Sequence, residues 1–94
     1  MNNKIAFAFR YGKLKPKERE IIEFLYSQKD CTFKGGYSDI VRTLGLSTYQ
    51  NVSNYRRTIL TLESKNIVVI TKGKTKTVGQ ILAVALSPDW ENNI

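Results

Sequence analysis

Side chains built for hydrogen bonding recur at helical spacing in Thr48-Tyr49-Gln50-Asn51-Val52-Ser53-Asn54-Tyr55-Arg56-Arg57. Drawn at 100° per residue, Gln50, Ser53, Asn54 and Arg57 fall on the side opposite Val52, Tyr55, Ile59 and Leu62. Amide, hydroxyl and guanidinium groups do not change their ionisation state near neutral pH. Their chemistry is recognition, through paired planar hydrogen bonds and contacts to anionic oxygens. A second set, Lys72, Lys74 and Lys76, lies in a polar segment bracketed by Gly73 and Gly79. Three ammonium groups there suit a polyanion.

Other chemistries lack their residues. The chain has no histidine, which removes imidazole general-base catalysis, Ser-His and Cys-His pairs, and His-ligated metal. The single cysteine, Cys31, cannot form an internal disulfide or a thiolate zinc site, and reads as a small buried hydrophobe. No glycine-rich phosphate loop occurs. Glu18, Glu20 and Glu23 read as a solvated helix face. A non-catalytic protein with no metal and no cofactor is expected.

The formal net charge of +7 is unevenly placed. Lys4, Arg10, Lys13, Lys15 and Lys17 open the chain with no acid among them. Arg42, Arg56, Arg57, Lys65, Lys72, Lys74 and Lys76 form a second block against Glu63 alone. Two basic blocks suit a polyanion-facing side, although basic residues also solvate surfaces. No apolar run reaches the roughly 18–20 residues of a membrane span, and no secretory leader pattern is present. A cytoplasmic protein with one domain over residues 1–94 is expected, and 94 residues accord with one core.

The elements that position these groups follow from pattern. Ile5, Phe7, Phe9 and Tyr11 alternate with Ala6, Ala8 and Arg10, predicting a strand or extended arm within residues 1–13. Pro16, with Glu18 and Glu20 in the first turn, predicts a helix to about Gln28. Cys31-Thr32-Phe33 suits a small edge strand. Gly35-Gly36 turns into a helix over Tyr37–Leu44, with Ile40, Val41 and Leu44 inward and Gly45 as a left-handed cap. Ser47 and Gln50 fit a capping box opening a long third helix to about Lys65. Ile67–Thr71 and Gln80–Leu86 read as strands joined by the basic tip. Trp90, in the tail 87–94, is expected to cover the open edge of the core.

The stretch Ser38-Asp39-Ile40-Val41-Arg42-Thr43-Leu44-Gly45-Leu46-Ser47, followed by Leu62-Glu63-Ser64-Lys65-Asn66-Ile67-Val68, resembles the winged helix-turn-helix superfamily of bacterial and phage DNA-binding domains. The resemblance covers about residues 14–86. Asn66 stands where glycine is commoner. The Leu46–Val52 stretch is about one residue longer than the commonest pattern, which leaves the register of the third helix open. The implied fold class is α+β, with three helices and a C-terminal β-hairpin wing.

What the resemblance implies is binding of double-stranded DNA by a transcriptional regulator or a replication-associated protein of a bacterium, phage or plasmid. The third helix would enter the major groove. Gln50 and Asn54 suit adenine, Arg57 guanine or phosphate, Ser53 and Thr48 phosphate oxygens, and Tyr49 a sugar or thymine methyl. Lys72, Lys74 and Lys76 would lie on the neighbouring backbone. Because many such proteins act on paired half-sites, the resemblance extends to a homodimer.

Each residue has a plainer reading. Gln50 completes the capping box, Ser53 and Asn54 are solvated, Arg56 pairs with Glu63, Tyr55 is core, and the lysines guard a hairpin edge. As a whole-protein alternative, winged helices also serve as docking adaptors or inhibitors of nucleic-acid-binding proteins. A third reading is RNA or single-stranded DNA, stacked on Tyr49 and Tyr37.

Overall fold

The computed structural model describes Ile5, Arg10, residues 12–73 and residues 81–94, with Thr48 described by its backbone alone. Helices α1 (Pro16–Tyr26), α2 (Tyr37–Thr43), α3 (Thr48–Ser64) and α4 (Trp90–Asn93) accompany strands β1 (Thr32–Lys34), β2 (Val68–Lys72) and β3 (Ile81–Leu86). A 3-10 turn at Lys29–Cys31 joins α1 to β1. The fold is mixed α+β, and its sheet is antiparallel in the order β1-β3-β2.

The helix ends follow from side-chain chemistry. Pro16 sits at the start of α1, where a missing N–H costs nothing. Glu18 accepts the Lys15 N–H at 2.8 Å, and Asp39 accepts the Gly36 N–H at 2.9 Å, each carboxylate reaching back one turn. At the end of α2, Gly45 takes φ +78, as expected. The Leu46 N–H there donates to Val41 O at 3.1 Å and the Gly45 N–H to Arg42 O at 3.0 Å, a Schellman motif. The same pair of bonds closes α3, from Ile67 to Leu62 O and from Asn66 to Glu63 O, both 3.0 Å. Asn66 adopts φ +61, the left-handed conformation that asparagine tolerates after glycine.

The core gathers Leu25, Ile40, Val41, Ile59, Leu62, Val84 and Ile67, each at most 1% exposed, with Trp90 over one side. Trp90 meets Tyr26 edge-on at 5.7 Å, in keeping with the expected cover. Ile81 and Val84 both face inward although three residues apart on a strand. A register shift explains this: Thr71 pairs with Ala83 but Lys72 with Ile81, so Leu82 is the extra residue of a bulge and stands 54% exposed.

Several expectations change. Ile5 and Arg10 are helical, not extended, and Ile5 is buried. The alternating pattern there competes with alanines, the strongest helix formers, and the rest of that arm before Gly12 lies outside the described residues. α1 ends at Tyr26, two residues early, because the chain turns into the 3-10 segment. Cys31 and Leu44 are half-buried, not fully buried. The short α4 was read only as tail.

The acidic face of α1 is not uniformly solvated. Glu18 is 3% exposed, its second oxygen 3.0 Å from the Lys65 ammonium, so it bridges the start of α1 to the end of α3.

Candidate functional site

The 17-residue α3 is divided lengthwise. Tyr55, Ile59 and Leu62 are buried, and Val52 is half-buried beside them. Gln50, Ser53, Asn54 and Arg57 are all exposed on the opposite face, and Tyr49 is 96% exposed. Thr48 is the first residue of the helix, with its side chain outside the described atoms. Lys72 is exposed at the far end of β2, roughly 13 Å of strand from Val68. Lys74 and Lys76, and the tip of the expected wing, lie outside the described residues.

The capping box at Ser47 and Gln50 does not form. Ser47 makes no side-chain cap bond, and the Asn51 amide instead donates to the Ser47 carbonyl at 2.8 Å. Asn51 lies one turn along from Ser47, on the helix side that reaches that carbonyl, so it takes the local role. Gln50 is left outside the cap, on the exposed face.

Two long-range polar contacts hold α3. Lys65 reaches Glu18, as above. The Tyr55 hydroxyl donates to Glu20, while the Lys17 ammonium sits 5.2 Å from the Tyr55 ring centre. Burial, then the bond to Glu20 and its negative charge, push the Tyr55 phenol up to about 12. Tyr55 is thus a core residue with a polar anchor, as its inward position predicted.

On the α2 side the Arg56 charge acts on the buried Tyr37 phenol at the start of α2. Burial raises the Tyr37 phenol above its ordinary value, Arg56 pulls it down, and the Glu63 carboxylate adds to the rise. The plainer reading of Arg56 as the partner of Glu63 does not hold: among the described residues no carboxylate lies within 4.0 Å of Arg56 or Arg57. The two residues stand two turns apart on the helix, with the Tyr37 hydroxyl feeling both charges. Tyr37 is 8% exposed and so offers no open ring face for base stacking.

On α3, Ser53, Arg56, Arg57 and Leu60 line a shallow open depression of about 340 Å³. Arg56 is the residue of this depression that sequence reasoning did not assign to the site. The one hint was that it projects nearer the buried arc than Arg57.

The electrostatics of this face are one-sided. Arg42, next along α2, is neutralised by Asp39 at 3.1 Å, whereas Arg56 and Arg57 keep their charge unpaired by carboxylate. Such a surface can hold anionic oxygens and offer paired amide hydrogen bonds. Among the described residues no helix is long and apolar enough to cross a membrane. Searches against protein-family models, curated proteins and solved structures give no match to this chain.

Proposed function

We propose that this chain is a non-catalytic, cofactor-free protein that binds double-stranded DNA through α3 and a basic β2–β3 wing, in the manner of a winged helix-turn-helix domain. The observation that carries the reading is the division of α3: one face is core, and the other presents Gln50, Ser53, Asn54 and Arg57 to solvent together. A helix fits the B-DNA major groove, about 12 Å wide, and those side chains match the groove's donors and acceptors. The order α1, β1, α2, turn, α3, then an antiparallel hairpin supports the winged helix assignment, as does the sheet order β1-β3-β2. A regulator of transcription and a replication-associated protein of a bacterium, phage or plasmid, working in the cytoplasm, would use this same surface. A homodimer on paired half-sites is compatible with it.

The test is a titration of a labelled random-sequence duplex, followed by fluorescence anisotropy at about 50 and 200 mM salt. With six to ten phosphate contacts, affinity falls by about 10³–10⁵ across that range. Arg57→Ala should cost about 1–3 kcal/mol on a preferred site and relax its sequence preference. Lys74→Ala should weaken all duplexes alike and lower the salt slope by about one unit. Absence of binding at 50 mM salt refutes the proposal.

Exposed apolar side chains favour a second reading, a protein-docking adaptor or inhibitor. Tyr49, Leu46 at 38% and Leu60 at 39% flank the same helix face. In that case duplex affinity is negligible and a stable protein complex takes its place.

A further inference from the structure

We infer that segment 87–94 is a strap that braces the angle between α3 and strands β2 and β3, with Ser87 and Asn93 as the residues that position the one against the other. The inference deepens the duplex-binding reading, and its bearing on affinity rests on that reading. The strap itself stands on its hydrogen bonds.

α3 and β2 are joined by a corner of three residues, Lys65, Asn66 and Ile67. Asn66 turns the chain there at φ +61. The Asn66 and Ile67 N–H groups close back onto α3, which leaves the two carbonyls for other partners. Segment 87–94 supplies them. The Ser87 N–H donates to Ile67 O at 2.9 Å, and the Ser87 hydroxyl donates to Asn66 O at 2.7 Å. The Asn93 side-chain amide donates to the same Asn66 oxygen at 2.8 Å, so both lone pairs of that carbonyl are used.

The two donors come from different elements. Ser87 follows β3 directly and extends its pairing with β2. Asn93 belongs to α4, whose Trp90 is 7% exposed and meets Tyr26 of α1 edge-on at 5.7 Å. The strap thus ties the corner to the sheet and, through Trp90, to α1. Between α4 and the corner, Asn66, Ser87, Asp89, Asn92 and Asn93 line an open concavity of about 610 Å³. No apolar side chain lines it. Hydrogen bonds, not packing, hold α4 to the corner at this point.

A duplex engaged by α3 in its groove and by the wing on its backbone needs both contacts at once. The corner is short, but the strand beyond it is a lever. A pivot of about 10° at the corner moves Lys72, about 13 Å along β2 from Val68, by about 2 Å. That displacement is enough to break a hydrogen bond to a phosphate oxygen. A corner already held by three bonds loses less freedom when both contacts form.

The test uses Asn93→Asp and Ser87→Ala, singly and together, in the full chain. Asn93→Asp keeps the shape of an exposed side chain but sets an acceptor against the Asn66 carbonyl. Asn92→Asp is the control, since it adds the same charge in the same concavity without a bond to the corner. Residual dipolar couplings of backbone N–H groups report the orientation of α3 against the sheet in the absence of DNA. Wild type should fit one alignment tensor, and the double variant should need a separate, smaller one for β2 and β3. Duplex affinity of the double variant should fall about threefold or more. Its salt slope between about 50 and 200 mM should stay unchanged, because no phosphate contact is removed.

Couplings of the double variant that still fit one tensor overturn the strap. Equal affinity losses in Asn92→Asp and Asn93→Asp assign the effect to charge and overturn the positioning role. So does a lowered salt slope in the double variant, which would mean that the segment touches phosphate itself. If wild type binds no duplex but the couplings separate, the strap stands and the duplex reading falls. If the duplex binds and the double variant keeps wild-type affinity, the positioning role falls alone.

Discussion

Glu18 is the buried carboxylate on which the placement of α3 depends, and its replacement gives the sharpest test of the fold. It is 3% exposed, with one oxygen 2.8 Å from the Lys15 N–H and the other 3.0 Å from the Lys65 ammonium. In Glu18→Gln the amide oxygen still accepts from Lys15, but the NH2 group faces the ammonium, donor against donor. Losing a charged hydrogen bond costs about 1.5–3 kcal/mol. Lys65, 43% exposed, regains water, so the expected net cost is about 1–2 kcal/mol. Glu18→Ala also removes the cap, which adds about 1 kcal/mol. Lys65→Met strips the cation from a carboxylate that cannot reach solvent. Breaking a fully buried pair costs about 3–5 kcal/mol, and the half-exposed lysine reduces this to about 1–2. An exposed lysine such as Lys13 should cost within about 0.5 kcal/mol on the same change. Urea unfolding followed by circular dichroism at 222 nm measures each variant. With slopes of about 1 kcal/mol per molar for a domain of this size, the midpoint should fall by about 1–2 M for Lys65→Met. If Lys65→Met matches Lys13→Met, the bridge between α1 and α3 contributes nothing and the reasoning fails.

Tyr55→Phe removes the hydroxyl that donates to Glu20, and its effect should depend on pH. A phenol raised to about 12 in the fold, against 10.0 unperturbed, stabilises fully below pH 10 and loses that contribution as pH climbs through 12. Wild type should therefore exceed Tyr55→Phe by about 1–3 kcal/mol at pH 8, with the gap closing between about pH 10 and 12. A gap constant over that window would contradict the assignment. Asn66→Gly should be within about 0.5 kcal/mol of wild type, while Asn66→Ala should lose about 1–2, because only alanine is penalised at φ +61. Gly45→Ala should lose about 1 kcal/mol through φ +78 alone, since no atom lies within 4 Å of an added Cβ. Equal stability of the alanine and glycine variants in thermal melts would rule out the left-handed caps.

Elements with local signatures were legible in the residues. Pro16, Gly45 and the β-branched run at Ile67–Thr71 placed three boundaries within about two residues of those observed. The exposed face of α3 was legible too, because periodicity alone separates it from Tyr55, Ile59 and Leu62. What stayed hidden depends on residues far apart in the chain. Glu18 looked solvated because its partner Lys65 lies 47 residues on. Tyr37 looked available for stacking because nothing nearby announced its burial. The Leu82 bulge was illegible for another reason: Gln80–Leu86 reads as an unbroken apolar strand, and the slip shows only against β2. At Ser47, two polar side chains competed for one helix end, and Asn51 bonded the carbonyl while the box went unmade.

The two hidden contacts bear on function through rigidity. Glu18 to Lys65 and Glu20 to Tyr55 fasten α3 at its end and along the flank that faces α1. A helix fixed in this way enters a groove as a rigid body and loses little conformational entropy on binding. The division has a measurable consequence. Variants at Lys65 and Tyr55 should lower stability while leaving the duplex affinity of the folded fraction nearly unchanged. Variants at Gln50, Ser53, Asn54 and Arg57 should lower affinity while moving stability by about 0.5 kcal/mol or less. Arg56, exposed beside Arg57, should behave as a member of the second set. Were the exposed face only a solvated surface, its four variants would leave affinity untouched, and the rigidity of α3 would need another explanation.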